Sequence, residues 1–112
     1  MGLFRNGSNR TNSGQKDDLL KPITLRMGAD MALKMTLESL KEFGFDIITE
    51  RLDYHEIYCK KGTIEYTLSF IDDLGKTHLT VLAFSEKTPL KIKKNLKELM
   101  AFIRNKLESY IE

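Results

Sequence analysis

The sequence predicts a single α+β domain, a two-layer sandwich with two helices on one face of an antiparallel four-stranded meander sheet. Three observations carry this. Apolar residues recur at helical spacing between residues 29 and 43, and again between residues 92 and 110. Between those stretches the pattern alternates with period two in four short runs. The links between the runs are too short for anything but antiparallel neighbours.

Residues 1–21 read as a disordered, polar and basic tail, with the domain over residues 22–112. Asn6, Gly7, Ser8, Asn9, Thr11, Asn12, Ser13, Gly14 and Gln15 bury too little apolar surface to offset the entropy of ordering them. The tail carries Arg5, Arg10, Lys16 and Lys21 against Asp17 and Asp18, and the rest of the chain is balanced in charge. A basic arm that touches an anionic partner is the functional alternative.

Ile23, Leu25 and Met27 alternate with Thr24 and Arg26, which predicts a short fifth strand near residues 23–27. Gly28 breaks it. Asp30 is the expected N-cap of a helix to about Phe43. Ala29, Leu33, Leu37 and Leu40 share its core face, with Ala32 and Phe43 beside it. Gly44 ends the helix as a left-handed cap. The four strands are expected at residues 45–52, 56–61, 63–72 and 77–85. Asp53-Tyr54-His55 joins the first pair, Lys61-Gly62 turns the second tightly, and residues 72–76 form a longer loop. Thr88 as N-cap and Pro89 at the first helical position open the last helix. Its stripe is Ile92, Leu96, Leu99, Met100, Ile103, Leu107 and Tyr110, through to the C-terminus.

The segment Leu40-Lys41-Glu42-Phe43-Gly44-Phe45, passing from helix to strand, and the order β-α-β4-α resemble small bacterial domains of unknown function with a TATA-binding-protein-like arrangement. The type III secretion chaperone-like arrangement is a further neighbour. The resemblance covers residues 23–112 and implies a fold. No functional residue carries over with it.

Composition excludes several roles. Net charge is +2 over 112 residues, so the chain is not a polycation. Cys59 is the single cysteine, which rules out an intramolecular disulfide and suits a reducing, cytoplasmic setting. The first ten residues hold no apolar run of a signal segment, and no stretch approaches the ~18 apolar residues of a membrane span. Gly2 follows Met1, but Asn6 stands where a myristoylation signal needs Ser or Thr. A cytoplasmic protein without membrane contact is expected.

Catalytic, metal and cofactor sites are not expected. His55 and His78 are the only histidines, and Cys59 alternates with Ile57 toward the core, where a thiol behaves as a small apolar group. No metal-ligand spacing or phosphate loop occurs. Asp72-Asp73 reads as ordinary turn chemistry.

Four surfaces stand out instead. Lys87, Lys91, Lys93, Lys94 and Lys97 crowd the start of the last helix, with Lys93, Lys97 and Arg104 on one exposed face. Cations at a helix N-terminus oppose its dipole. The bland reading is a solvated face; the functional one is an anion or nucleic-acid site using free helix N–H groups. Met31 and Met35 lie off the core stripe of the first helix and could form a partner seam or fold over a neighbour. The last strand is apolar on both sides, so either Leu82 and Phe84 or Leu79 and Val81 face outward, for a partner or the tail to cover. Tyr66 and Tyr110 are polar handles for a ligand between sheet and last helix. The expected function is a non-catalytic binding or accessory module acting through protein contact or as a homodimer. The alternative is nucleic-acid or phosphate binding.

Overall fold

The computed structural model describes residues 8–11 and 17–112. Its elements are β1 (Ser8–Arg10), β2 (Ile23–Leu25), α1 (Ala29–Glu42), β3 (Asp46–Arg51), β4 (Glu56–Lys61), β5 (Ile64–Asp73), β6 (Lys76–Phe84) and α2 (Ile92–Lys106). Short 3-10 turns cover Asp18–Leu20, Pro89–Lys91 and Glu108–Tyr110. Strands β3 to β6 form the expected meander, and every pairing is antiparallel. The short strand expected near residue 23 is β2, which pairs with the free edge of β6 at Leu79–Thr77. β1 shares that edge further along, at Phe84–Leu82.

The boundary expected at residue 22 therefore falls differently. Ser8–Arg10 belongs to the sheet, and Leu20 is fully buried in the core. Asp17 caps the turn by accepting from the Leu19 amide at 3.0 Å.

Alternation sets the two sheet faces. Ile57 and Cys59, then Ile64, Tyr66, Leu68 and Phe70, then Leu79, Val81 and Ala83 all point into one core. Leu33, Leu37 and Leu40 of α1, and Leu96, Leu99, Met100 and Ile103 of α2, close over them. Each such side chain, fully buried, stabilises by roughly 1.5–3 kcal/mol. In β3, Ile47 sits opposite Cys59 and Thr49 opposite Tyr58, so Ile48 is an extra, bulged residue.

Helix α1 ends as Gly44 directs. Gly44 has φ +91°, its N–H donates to Lys41 O at 3.1 Å, and Phe45 N–H donates to Leu40 O at 3.0 Å. That is the Schellman arrangement. Its N-cap is Gly28, not Asp30, which stands in the first turn and holds His55 Nε2 at 2.7 Å.

Helix α2 stops earlier than its stripe suggested. Leu107 is its C-cap, and Tyr110 lies outside it, in a 3-10 turn. The cause is Arg26, whose guanidinium donates to Ser109 O at 2.7 Å and to Ile111 O at 3.0 Å. Ile111 then bridges to Leu25, and Glu112 N–H donates to Thr24 O. Backbone pairing with β2 outweighs one more helical turn.

The loop expected over residues 72–76 is tighter than that. The strands run to Asp73 and Lys76, leaving only Leu74 and Gly75, with φ +53° and +89°. Both central residues lie in the left-handed region, as a type I′ hairpin turn requires.

Candidate functional site: a lysine-rimmed groove on the last helix

Pro89 starts a 3-10 turn that leads into α2, and Thr88 makes no side-chain cap to it. The Thr88 hydroxyl instead meets Thr63 Oγ1 at 2.6 Å and Ser85 Oγ at 3.1 Å. Lys91 N–H donates to Thr88 O, and Ile92 N–H to Pro89 O. Proline has no N–H to offer. Two of the helix N–H groups expected for an anion, those of Lys91 and Ile92, are thus spent inside the turn.

The lysines divide into separate groups. Lys93, Lys94 and Lys97 line a groove of about 530 Å³ with Leu19, Leu90, Glu98 and Ala101. Leu90 is 97% exposed at its edge. Lys87 belongs elsewhere, in a smaller polar depression with Lys60, Thr63, Glu65, Phe84 and Glu86. The face expected to present Lys93, Lys97 and Arg104 together to solvent is partly covered by the Asp17–Leu20 turn. Lys97 Nζ pairs with Asp17 Oδ2 at 2.6 Å. Arg104 donates to Asp18 O at 3.0 Å and to Lys21 O at 3.2 Å. The lysine's hydrogen bond, then the Leu19 amide, hold the Asp17 carboxyl below the ordinary carboxylate value.

The groove therefore needs both ends of the chain. Leu19 comes from the leader, and the other wall from α2 and the turn before it. It can hold an apolar side chain while its rim attracts negative charge. Lys93 and Lys94 form no ion pair with a described residue.

Other sequence candidates fall apart spatially. Met31 is 55% exposed, whereas Met35 is packed against the core, so they do not form one open seam. Leu82 and Phe84 do face outward, half-buried opposite Thr67 and Glu65 on a sheet face that carries no helix among the described residues. That face is otherwise largely polar, with Thr49, Tyr58, Thr67, Ser69 and Thr80. Tyr66 is buried edge-on to Phe45, 5.4 Å between centroids, and burial pushes its hydroxyl up to about 12. Tyr110 lies by Arg26 at the far end of the sheet, so the two tyrosines do not share a site.

Two features escaped the sequence reading. Phe43 and Phe102 stack at 3.9 Å between the helices, with Lys61 Nζ 4.0 Å above the Phe43 ring. Leu19 also contributes a groove wall.

Cys59 is fully buried, and desolvation pushes its thiol up to about 12. His55 pairs with Asp30 and His78 with Asp73, at separate turns. Among the described residues, no group of three or more His, Cys, Asp or Glu is placed to hold a metal ion. No described helix is long and apolar enough to cross a membrane. Comparison with known proteins gave no match, either to a family model or to a curated protein.

Proposed function

We propose that this chain is a small, non-catalytic, cytoplasmic binding module that works through protein contact. The groove on α2 is its docking surface. One observation carries the reading: Leu19, Leu90 and Ala101 put apolar surface in the same groove as Lys93, Lys94 and Lys97, with Glu98 as its acidic member. Apolar contact supplies affinity, and the lysines select an acidic partner and orient it. The buried, unreactive Cys59 and the two separated histidines support a role without covalent chemistry.

Phosphate or nucleic-acid binding is the second reading. Lys87, Lys91, Lys93 and Lys94 favour it, since none forms an ion pair with a described residue. The bonded N–H groups of Lys91 and Ile92 and the absence of interleaved aromatics on α2's first turns weigh against it.

Amide shifts of the labelled protein separate the two. A short peptide of alternating acidic and leucine residues should move Leu19, Leu90, Lys93, Lys94 and Ala101. If single-stranded oligonucleotides move Lys87 and Lys91 instead, with affinity falling steeply as salt rises, the second reading replaces the first.

A further inference from the structure

The tip of the β5–β6 hairpin breaks two local rules at once. Leu74 is 100% exposed and has φ +53°. Asn, Asp or Gly is the usual residue at that position of a type I′ turn, because a Cβ is strained there. A leucine costs conformational energy and buries nothing within its own chain. Ile71, also exposed, lies on the same strand end. Asp72 and Asp73 precede the tip and are exposed, Asp73 bonded to His78 Nε2 at 3.0 Å. The nearby cation, Lys76, is paired with Glu112. The tip is thus an apolar knob with two carboxylates on the strand that leads into it. Its complement is an apolar pocket with a basic rim.

The groove on α2 has that chemistry: with Lys97 held by Asp17, Lys93 and Lys94 outnumber the single carboxylate of Glu98 in its lining. We infer that the hairpin tip of one copy docks into the α2 groove of a second copy. Leu74 enters between Leu19, Leu90 and Ala101, and Asp72 and Asp73 face Lys93 and Lys94. This rests on the groove reading above and names its occupant. Charge selects the tip over the chain's own first residues. Residues 1–7 offer Leu3 and Phe4, but their charged side chain is Arg5, which the rim repels. The tip leads into β6 and Leu90 follows it, so the two surfaces lie toward opposite ends of that strand. The contact joins unlike patches, and copies add head to tail. One knob in one groove is small, so the association is weak and shows at high protein concentration.

Sedimentation velocity over a concentration series tests this. The wild-type chain should associate, and less so at high salt. Leu74→Asn should weaken association by about tenfold or more, the worth of one buried leucine, and the double change Lys93→Glu with Lys94→Glu should weaken it at least as far by setting like charges face to face. Asn suits the turn, so a folding defect does not imitate the loss of binding. The two variants should then complement each other. The first keeps a groove and the second keeps a tip, so their mixture should form a one-to-one dimer that does not grow.

A wild-type chain that stays monomeric throughout overturns the inference. So does a Leu74→Asn chain that associates as the wild type does. Association that appears only when residues 1–7 are deleted would also overturn it, by assigning the groove to the chain's own leader. The acidic-leucine peptide keeps the two levels apart. A monomer whose groove still binds it loses the second-copy inference alone; a monomer that ignores it loses the docking reading as well.

Discussion

Replacing Leu74 by Asn should make the protein more stable, although it removes a large apolar side chain. The backbone at Leu74 and Gly75 is fixed at φ +53° and +89° by the pairing of Asp73 with Lys76. For an L-residue with an ordinary Cβ, the left-handed conformation costs roughly 1–2 kcal/mol. Asn recovers about half of that, since its short polar side chain bonds locally and tolerates the conformation. Nothing is lost in burial, because Leu74 is wholly exposed. The net gain is about 0.5–1 kcal/mol. For a domain of this size that raises Tm by roughly 2–6 °C. Thermal unfolding followed by circular dichroism, with urea titration at unchanged slope, measures it. The paired change Gly75→Ala should lower stability by about 1 kcal/mol, because it puts a Cβ where there was none. An Asn variant that melts at or below the wild-type temperature would refute the argument that turn geometry, and not contact, governs this site.

Three further outcomes follow from the packing and the charges. Leu68→Ala, between fully buried Ile57 and Val81 across the sheet, should cost about 3–5 kcal/mol in urea unfolding; a loss below about 1 kcal/mol would place Leu68 outside the core. Arg26→Ala should cost about 1–2 kcal/mol. It should also speed hydrogen exchange at the Glu112 amide while leaving Leu99 protected; unchanged exchange at Glu112 would deny Arg26 its anchoring role. Asp17 should titrate below the ordinary carboxylate value in the folded chain, because Lys97 and the Leu19 amide favour its charged form. Its folded pKa is depressed, so its contribution is full above the unfolded value near 3.9 and fades as pH falls through the folded one. Lys97→Gln should move the Asp17 carbon resonance midpoint upward, and a midpoint that stays put would remove the lysine as the cause.

Local pattern made much of the fold legible. The stripe of α2 and the alternation of Ile64, Tyr66, Leu68 and Phe70 each repeat one period over several turns or pleats, so each names its own buried face. Gly44 named its cap because only one backbone conformation suits it there. The end of α2 was not legible. Leu107 and Tyr110 continue the helical stripe, and what stops the helix is Arg26, more than eighty residues earlier in the chain. The leader misled for a related reason. Its Asn, Ser and Gly content masks Leu19 and Leu20, whose partners lie on α2 and in the core. Half of the candidate site could be read as a run of lysines. Its apolar lining could not, since Leu19 joins Leu90 and Ala101 only when residues 17–20 fold against α2.

The bulge in β3 bears on how copies of this chain could meet. β3 is an outer strand of the sheet, and a flat outer strand invites another chain to pair with its backbone. Ile48 interrupts the hydrogen-bonding rhythm there, and Asp46, Glu50 and Arg51 place charges along the same short strand. A second chain would have to match an irregular register and accommodate those charges at once. Growth by adding strands at that side is discouraged. Recognition is then left to side chains, which a single substitution can rewrite, and not to the backbone, which every sequence shares.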